Sequence, residues 1–374
     1  MARCRVCGFE SIEIPRYISL CRDCILKDFK DEYLGIHGSW RGSIGLKQYP
    51  NSSGDGVRCI FCVNECSIEP GESGYCGVIL NRDGILTHIS GDLDKAVLYY
   101  YLDPIPTNCV AAHVCPASNR VGYPKYSVSE DVEHGYYNLA VFFGGCNIDC
   151  LFCQNIEHKY MVVDPRYRNY VDVKELFKMA LNDKVTCICF FGGDPTPHTI
   201  YTLKFSKEII ELSRKAGIIK RLCWETNGLE NPLLFKKMVK YSYDSGGIIK
   251  IDWKAYYPEI YSVLTGIDGF KALKRIKENV DYALSIDYSD RGYPLLTIST
   301  LVIPHYISYD DIYGIASYIA ERDIDIPYIL LAFAPHHLMR DGVTTSYRHM
   351  MECVDAARDA GLRNVFIGNY WLLR

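Results

Sequence analysis

The fold is indicated by one stretch of the sequence, Asn138-Leu139-Ala140-Val141-Phe142-Phe143-Gly144-Gly145-Cys146-Asn147-Ile148-Asp149-Cys150-Leu151-Phe152-Cys153. Its first part is a short apolar run, which is typical of a strand buried on both faces of a parallel sheet. Its second part carries three cysteines spaced C-x3-C-x2-C. Three thiolates on one tight loop can hold three irons of a cubane cluster and leave the fourth iron without a protein ligand. The stretch therefore predicts a buried strand that leads into a metal centre with an open coordination position.

Five further apolar runs predict strands, and amphipathic helices fall between them. The runs are Val185–Phe191, Lys220–Glu225, Ile248–Asp252, Leu296–Ile303 and Pro327–Phe333. Helix signals include Asn231-Pro232, an N-cap followed by proline at the first turn, and Gly217, a C-terminal stop. Strands that alternate with helices are typical of a parallel α/β sheet. Together with the first strand, the six βα units predict a partial (β/α)6 barrel over residues 136–374.

Polar or glycine-rich segments follow the predicted strands. They are Gly144-Gly145-Cys146, Gly192-Gly193-Asp194, Glu225-Thr226-Asn227-Gly228, Asp252-Trp253-Lys254 and Pro335-His336-His337. In barrels of this kind the chemistry gathers at the carboxyl ends of the strands. We therefore expect these segments to converge on one site.

The cysteine loop resembles that of the radical S-adenosylmethionine (SAM) enzymes, including an aromatic residue, Phe152, directly before the third cysteine. The resemblance implies a [4Fe-4S] cluster on Cys146, Cys150 and Cys153, with SAM bound at the open iron. One electron from a ferredoxin-type or flavodoxin-type donor would then cleave SAM to methionine and a 5′-deoxyadenosyl radical, which abstracts a hydrogen atom from the substrate. A zinc or purely structural site with the same spacing is the alternative.

Gly192-Gly193-Asp194-Pro195 resembles the Gly-Gly-Glu-Pro segment of this family, which receives the methionyl amino group of SAM. Aspartate replaces glutamate here, so a charged acceptor is kept about one carbon closer to the backbone. An ordinary turn is the alternative. Thr226 and Asn227 lie in a segment that looks like the one after the third strand of the pyruvate formate-lyase-activating enzymes. The resemblance thus implies cofactor contacts at both segments.

Asp252-Trp253-Lys254 looks like the segment after the fourth strand of the same activating enzymes. By that resemblance Asp252 binds the ribose hydroxyls and Lys254 binds the methionyl carboxylate, pairings that suit a carboxylate and an ammonium group. His336 matches the histidine after the family's last strands, near the nucleoside, although His337 competes for that position. A polar histidine without a cofactor role is the alternative there.

The front of the chain carries two sets of four cysteines. The first set, Cys4-x2-Cys7-x13-Cys21-x2-Cys24, places two C-x2-C pairs at a separation typical of a zinc ribbon. Rubredoxin-type iron fits the same spacing. We favour zinc, in a structural or partner-docking module over residues 1–50.

The second set, Cys59-x2-Cys62-x3-Cys66-x9-Cys76, lies in a cysteine-rich region over residues 51–135. This block resembles the N-terminal segment of the AmmeMemoRadiSam-system radical SAM proteins, and the resemblance continues from about Val57 to Asn369. The four thiols could ligate an auxiliary [4Fe-4S] cluster or a second zinc, and the uneven spacing favours the cluster. Of the remaining cysteines, Cys109 and Cys115 could complete a further site or be buried thiols, and Cys187, Cys189, Cys223 and Cys353 are interpreted as buried apolar thiols.

The composition of the 374 residues excludes several classes of protein. A formal net charge of −4 and a pI of about 6.2 give no surplus of basic residues for a nucleic-acid partner. The apolar run Ile326–Phe333 is too short to span a membrane, and the first residues have no apolar signal core. An odd count of 17 cysteines then favours thiolate ligands over disulfides. These features predict a cytoplasmic protein.

The sequence therefore predicts a radical SAM oxidoreductase that acts on a protein, lipid or small-molecule substrate. Installation of a glycyl radical on a partner protein is one alternative. Against it, the extra metal sites precede the barrel here, whereas activating enzymes usually insert theirs just after the three-cysteine loop. A non-catalytic iron–sulfur electron carrier or adaptor is the other alternative, and it leaves the polar segments at successive strand ends unexplained.

Overall fold

The computed structural model describes residues 2–28, 32–107 and 109–374. Its strands are β1 (Ala2–Arg3), β2 (Glu10–Ser11), β3 (Val57–Arg58), β4 (Ser67–Ile68), β5 (Ile79–Arg82), β6 (Ile85–His88), β7 (Lys95–Pro104), β8 (Tyr137–Phe143), β9 (Tyr170–Asp172), β10 (Val185–Gly192), β11 (Arg221–Thr226), β12 (Ile249–Asp252), β13 (Leu296–Val302), β14 (Tyr328–Ala332) and β15 (Val365–Gly368). Its α-helices are α1 (Arg22–Asp28), α2 (Glu32–Ser43), α3 (Glu157–Val163), α4 (Val173–Ala180), α5 (Thr199–Ala216), α6 (Pro232–Ser245), α7 (Pro258–Thr265), α8 (Gly269–Leu284), α9 (Tyr309–Ala320) and α10 (Tyr347–Asp359). None of the helices in these ranges combines the length and apolar character that crossing a membrane requires.

One large sheet organises the structure, with the strand order β15-β14-β13-β12-β11-β10-β8-β7-β9. All neighbours from β8 to β15 pair in parallel, and each new strand of that series is added at the same edge. The edge strands β15 and β9 lie at opposite ends of this order, so the sheet is open. The predicted α/β partial barrel is confirmed, and all six predicted strands are present.

The sheet is larger than the six predicted units. The short strand β15 adds a seventh parallel strand, and β7 and β9 extend the other edge in antiparallel fashion. β15 is apolar, Val365-Phe366-Ile367-Gly368, but with only four residues it is too short to be recognised as a strand from the sequence. Because β7 belongs to the sheet, the sheet crosses the predicted domain boundary at residue 135, and the three-domain division stays a prediction.

Helix ends follow the expected capping chemistry. The Asn231 side chain accepts a hydrogen bond of 2.9 Å from the Leu233 amide at the start of α6. Gly217 ends α5 with a φ of 66°, a left-handed conformation that glycine adopts without strain. These signals place the helices between the strands and leave the strand ends free for the site.

The front of the chain packs onto the barrel near α9. The Tyr306 hydroxyl donates to the Leu20 carbonyl at 2.9 Å, and the Arg22 guanidinium donates to Asp311 at 2.5 Å. The amide of Arg22 donates to Nε2 of His305 at 3.0 Å. The first cysteine set is therefore held against the sheet through side chains of the barrel itself.

Candidate functional site

A cavity of about 530 Å³, here named the strand-end chamber, lies at the carboxyl ends of the parallel strands. Most of the site residues predicted from the sequence line it: Cys146, Cys150, Phe152, Cys153, Gly192, Gly193, Asp194, Thr226, Asn227, Asp252 and Lys254. His336 is not among the lining residues. The expectation that the segments after the strands converge is thus met by four of the five segments.

The cysteine loop, Gly144 to Cys153, is held in place by its backbone. The amides of Asp149 and Leu151 donate to the carbonyls of Thr265 and Leu264 at 2.7 and 3.1 Å. Burial raises the pKa of the Cys150 thiol to about 12. Burial also raises the pKa of the Cys146 and Cys153 thiols, so binding of a metal as thiolates would release their protons.

Asp149, between the first two cysteines of the loop, is fully buried among cationic side chains. Its carboxylate accepts hydrogen bonds from Nδ1 of His37 at 2.8 Å and from Arg41 at 3.4 Å, and it pairs closely with the Lys159 ammonium. Burial alone would raise the pKa of Asp149, but Lys159, His37 and Arg41 hold it well below its usual value. Helix α2, which carries His37 and Arg41, is thereby tied to the cysteine loop.

A second contact joins the loop to the neighbouring strand end. The Asn227 side-chain amide donates to Oδ1 of Asn147 at 2.6 Å and lies 4.0 Å from the Cys146 sulfur. The Asn64 side chain, from the second cysteine set, donates to the Asn147 carbonyl at 2.6 Å. One loop residue thus links the barrel, the predicted cluster loop and the cysteine-rich region.

The glycine pair after β10 is required by close packing. A Cβ atom on Gly193 would lie 2.0 Å from the Gly145 carbonyl oxygen and 2.8 Å from the ring of His158. Gly192 has a φ of 115°, which side-chain-bearing residues rarely adopt. The glycines let the segment after β10 lie directly against the cysteine loop.

The Asp194 carboxylate is surrounded by protein donors. It accepts hydrogen bonds from the Thr196 amide and the Asn227 amide, each at 2.9 Å, and from the hydroxyls of Thr196 and Thr226. These four donors match the roughly four lone-pair positions of a carboxylate. Asp194 therefore joins the loops that follow β10 and β11.

Glu230 is a buried carboxyl group that the sequence did not single out. Burial, followed by repulsion from Asp194, raises its pKa to about 8. The Thr226 and Thr196 hydroxyls lie against it, the second at 3.1 Å. Because it follows the β11 motif by a few residues without a recognisable pattern, no sequence signal could have found it.

Alternate residues of β12 and the segment after it face the chamber. Lys250, Asp252 and Lys254 line it, whereas Ile251 and Trp253 are fully buried on the other side. The Asp252 carboxylate lies 2.8 Å from the Lys250 ammonium and 3.3 Å from that of Lys254. Burial raises the pKa of Asp252, but the two lysines lower it further than burial raises it. Lys250 was missed, although its spacing of two from Asp252 was a signal.

Two further segments of the chamber wall carry no motif. Asn369, Tyr370 and Trp371 line it from the C-terminal end, and Cys109, Val110, Ala112 and His113 line it from the region before β8. The Tyr370 and Trp371 side chains are 68% and 59% exposed, so they form a rim open to solvent. His337, by contrast, stacks edge-on against Trp40 at 4.7 Å outside the chamber wall.

The first cysteine set forms a site for one ion. The sulfur atoms of Cys4, Cys7, Cys21 and Cys24 all lie within 4.8 Å of one another, with Cys7 and Cys21 at 3.6 Å. Thiolates around a tetrahedral ion with metal–sulfur bonds of ~2.3 Å lie about 3.8 Å apart. The predicted four-cysteine site is therefore present, and its geometry suits either zinc or iron.

The second cysteine set has wider spacing. Cys59, Cys62, Cys66 and Cys76 line a small cavity of about 20 Å³ that Asn147 of the cysteine loop also lines. Among the described residues, only the first set brings three or more such ligand atoms within 4.8 Å. The second set therefore lies directly beside the cysteine loop but is not arranged around a single ion.

Metal removal is expected to unfold the first cysteine set while the barrel persists, because short metal modules take their folding free energy from the ion. Limited proteolysis after chelation should cut between Cys4 and Cys24 and leave the region from β8 onward resistant. A chelated chain that resists cleavage in this segment would contradict the metal-module interpretation.

Known proteins resemble this chain at the level of family and fold. Residues 140–319 match the family described as the Radical SAM superfamily. An uncharacterized protein of Methanocaldococcus jannaschii is 23% identical over 317 residues, which cover 84% of this chain and 81% of that protein. A probable GTP 3′,8-cyclase of Thermococcus kodakarensis is 24% identical over 139 residues, or 37% of this chain and 41% of that protein.

Among solved structures, a domain of a pyruvate-formate lyase-activating enzyme from Bacteroides vulgatus is similar at 20% identity and a TM-score of 0.33. The match covers 48% of this chain and 98% of that one. The superfamily is one of enzymes that use SAM and a [4Fe-4S] cluster. Residues 140–319, which include the cysteine loop and most of the parallel sheet, are thus the part of the chain that matches the radical SAM superfamily.

Proposed function

We propose that this protein is a radical SAM enzyme that cleaves SAM reductively in the strand-end chamber. The observation that carries the proposal is the meeting, in one cavity of about 530 Å³, of three loop thiols with the charged pair Asp252 and Lys254. The donor set fits the implied groups, because thiolates bind iron and the charged side chains suit a zwitterionic, hydroxyl-bearing ligand. When bound, the reduced cluster supplies the electron that cleaves SAM to methionine and a 5′-deoxyadenosyl radical.

Cys146, Cys150 and Cys153 would hold the cluster. The Lys254 ammonium lies near enough to Cys150 to favour its thiolate form, since it lowers the pKa that burial raises. Lys254 has three donors and pairs with Asp252 at 3.3 Å, so it can donate to a methionyl carboxylate while it keeps this ion pair. Asp252, which the lysines keep ionised, would accept from the ribose hydroxyls.

Gly192, Gly193, Thr226 and Asn227 would complete the SAM site. The close approach of the glycine pair to the cysteine loop leaves backbone groups, not side chains, at the place where the amino group is expected. Asp194 already has four protein donors, so we propose that its main role is to hold the two loops together. His336 does not line the chamber, and we assign it no part in the site.

The second cysteine set would supply an auxiliary cluster. Its position beside Asn147, which lies between Cys146 and Cys150, gives a short path for an electron from a ferredoxin-type or flavodoxin-type donor to the loop. The wide spacing of Cys59, Cys62, Cys66 and Cys76 supports a cluster over a single zinc.

Anaerobic incubation of the reconstituted, reduced protein with SAM tests the proposal. The expected product is 5′-deoxyadenosine, and Cys150→Ala should reduce it to the level of a protein-free control. Cys353→Ala, which changes a buried cysteine far from the chamber, should retain it. If the intact, fully reconstituted protein yields no 5′-deoxyadenosine, a non-catalytic electron carrier becomes the better description.

A further inference from the structure

Five cysteines without a role in the proposed site line a second cavity. This cavity, here named the thiol chamber, has a volume of about 270 Å³ and lies inside the partial barrel. The five are Cys109, Cys115, Cys187, Cys189 and Cys223. They come from three parts of the chain: the segment before β8, strand β10 and strand β11. The sequence left Cys109 and Cys115 open between a further site and buried thiols, and it indicated only buried apolar thiols for the other three.

Strand geometry explains why three of these thiols face the same space. Cys187 and Cys189 are two residues apart on β10, so their side chains project from the same face of the sheet. Cys223 on β11 is the register partner of Cys189 and projects from that face too. The sulfur atoms of Cys187 and Cys223 are 3.8 Å apart. This is the separation of about 3.8 Å expected for two thiolates on one tetrahedral metal.

A role of these five cysteines as small apolar side chains that fill the core does not account for the thiol chamber. Filler side chains are packed to the density of an organic crystal, with few voids larger than a water molecule. Cys353 behaves in this way, since it is fully buried within the layer of α10. The five thiols instead border open volume together with Asp103, Glu225 and Lys250. A thiol-rich cavity of this size, with three charged side chains in a largely apolar wall, is suited to a bound group.

We propose that the thiol chamber binds an iron–sulfur cluster ligated by Cys115, Cys187 and Cys223, with a fourth thiolate from Cys109 or Cys189. A single ion would need its ligands gathered closely, yet among the described residues only the first cysteine set brings three ligand atoms within 4.8 Å. A cluster of several irons bridged by sulfide spans thiols that are further apart. The pair Cys187 and Cys223 would share one iron, and Cys115 with the fourth thiolate would hold another.

The position of this cluster follows from the walls that the two chambers share. Thr107, Cys109, Phe191, Glu225 and Lys250 line both the thiol chamber and the strand-end chamber. A cluster in the thiol chamber would therefore lie on the inner side of the proposed SAM site. The second cysteine set lines a separate small cavity, beside Asn147 of the cysteine loop. The two auxiliary centres would thus occupy separate cavities, one sharing walls with the strand-end chamber and one beside Asn147.

The test counts iron and sulfide in protein that cannot assemble the cluster of the cysteine loop. The parent is Cys146→Ala/Cys150→Ala/Cys153→Ala, purified and reconstituted anaerobically, in which the two front sets are intact. Adding Cys187→Ala/Cys223→Ala should remove at least about two irons and two sulfides per chain, as the smallest such cluster holds two of each. The electron paramagnetic resonance spectrum of the reduced protein should lose the matching signal. Adding Cys353→Ala should change neither.

A second pair of substitutions, outside the sheet, tests the same cluster without disturbing the packing of the strands. Cys109→Ala/Cys115→Ala lies in the segment before β8, outside the sheet, and should lower iron and sulfide in the same way. The proposal would be overturned if both double substitutions left the iron and sulfide content of the triple cysteine variant unchanged. A Cys187–Cys223 disulfide in the anaerobically purified parent would overturn it as well. Because the parent lacks the loop cysteines, the outcome does not depend on whether the protein cleaves SAM.

Discussion

Asp149→Asn is expected to destabilise the folded chain by about 3–5 kcal/mol, the range measured when one partner of a buried ion pair is removed. Asparagine keeps the shape of aspartate but removes the charge that Arg41 and Lys159 share. These cations are almost fully buried, and no other carboxylate among the described residues pairs with them. Denaturant unfolding followed by circular dichroism measures the loss. Because Asp149 anchors the cysteine loop, the variant should also take up less iron.

The control for this variant is Asp131→Asn. Asp131 pairs with Arg120 at 3.0 Å, but both side chains are largely exposed, at 60% and 79%. Exposed pairs contribute ~1 kcal/mol or less, so the free energy of unfolding of this variant should be close to that of the wild-type protein. Equal stability of the Asp149 and Asp131 variants would mean that the buried network contributes nothing to the fold.

The same network of buried charges makes the stability of the folded chain depend on pH. The pKa of Asp149 is depressed in the folded chain, so in acid the unfolded chain binds more protons than the folded one. Its contribution to stability is present above the unfolded pKa of about 3.9 and is lost as the pH falls through the lower folded value. The free energy of unfolding of the wild-type protein should therefore fall more steeply below about pH 4 than that of Asp149→Asn does.

Gly193→Ala is expected to destabilise the fold by at least about 3 kcal/mol and to abolish cleavage of SAM. The added Cβ would lie 2.0 Å from the Gly145 carbonyl oxygen, which is backbone and cannot rotate away. Either the segment after β10 or the cysteine loop must shift, and both line the strand-end chamber. Thermal unfolding and the 5′-deoxyadenosine assay measure the two effects.

Gly35→Ala is the matched glycine control. No heavy atom lies within 4 Å of the position of its added Cβ, and the residue is in helix α2. Alanine is more favourable than glycine within a helix by ~1 kcal/mol, so this variant should be at least as stable as the wild-type protein. If Gly193→Ala has the melting temperature of the wild-type protein and still produces 5′-deoxyadenosine, the close contact between Gly193 and the Gly145 carbonyl has no functional importance.

The sequence was most informative where one local signal determines one local structure. The apolar run before Cys146 predicts β8, and Asn231-Pro232 predicts the start of α6, because burial and capping depend on neighbouring residues. The C-x3-C-x2-C spacing likewise places three thiols on one loop. β15 was missed because its apolar run is only four residues long.

The contacts that bring distant segments together could not be predicted. Asp149 is separated from His37 by 112 residues and from Arg41 by 108, and nothing in either segment indicates the other. The thiol chamber is a similar case, because Cys115 and Cys187 appear unrelated until the sheet brings them to one cavity. Long-range pairing depends on the topology of the whole chain, whereas the motifs reflect only short segments.

The link between helix α2 and Asp149 has a consequence for how the chain is made. During synthesis, His37 and Arg41 leave the ribosome more than 100 residues before the carboxylate that they bind. The cationic face of α2 therefore stays hydrated until the loop of the barrel emerges. A barrel expressed without its front would face the converse problem, since it would bury Asp149 with Lys159 as its remaining cation. The front and the barrel thus reach their final form together, and neither is a complete building block for transfer to another protein.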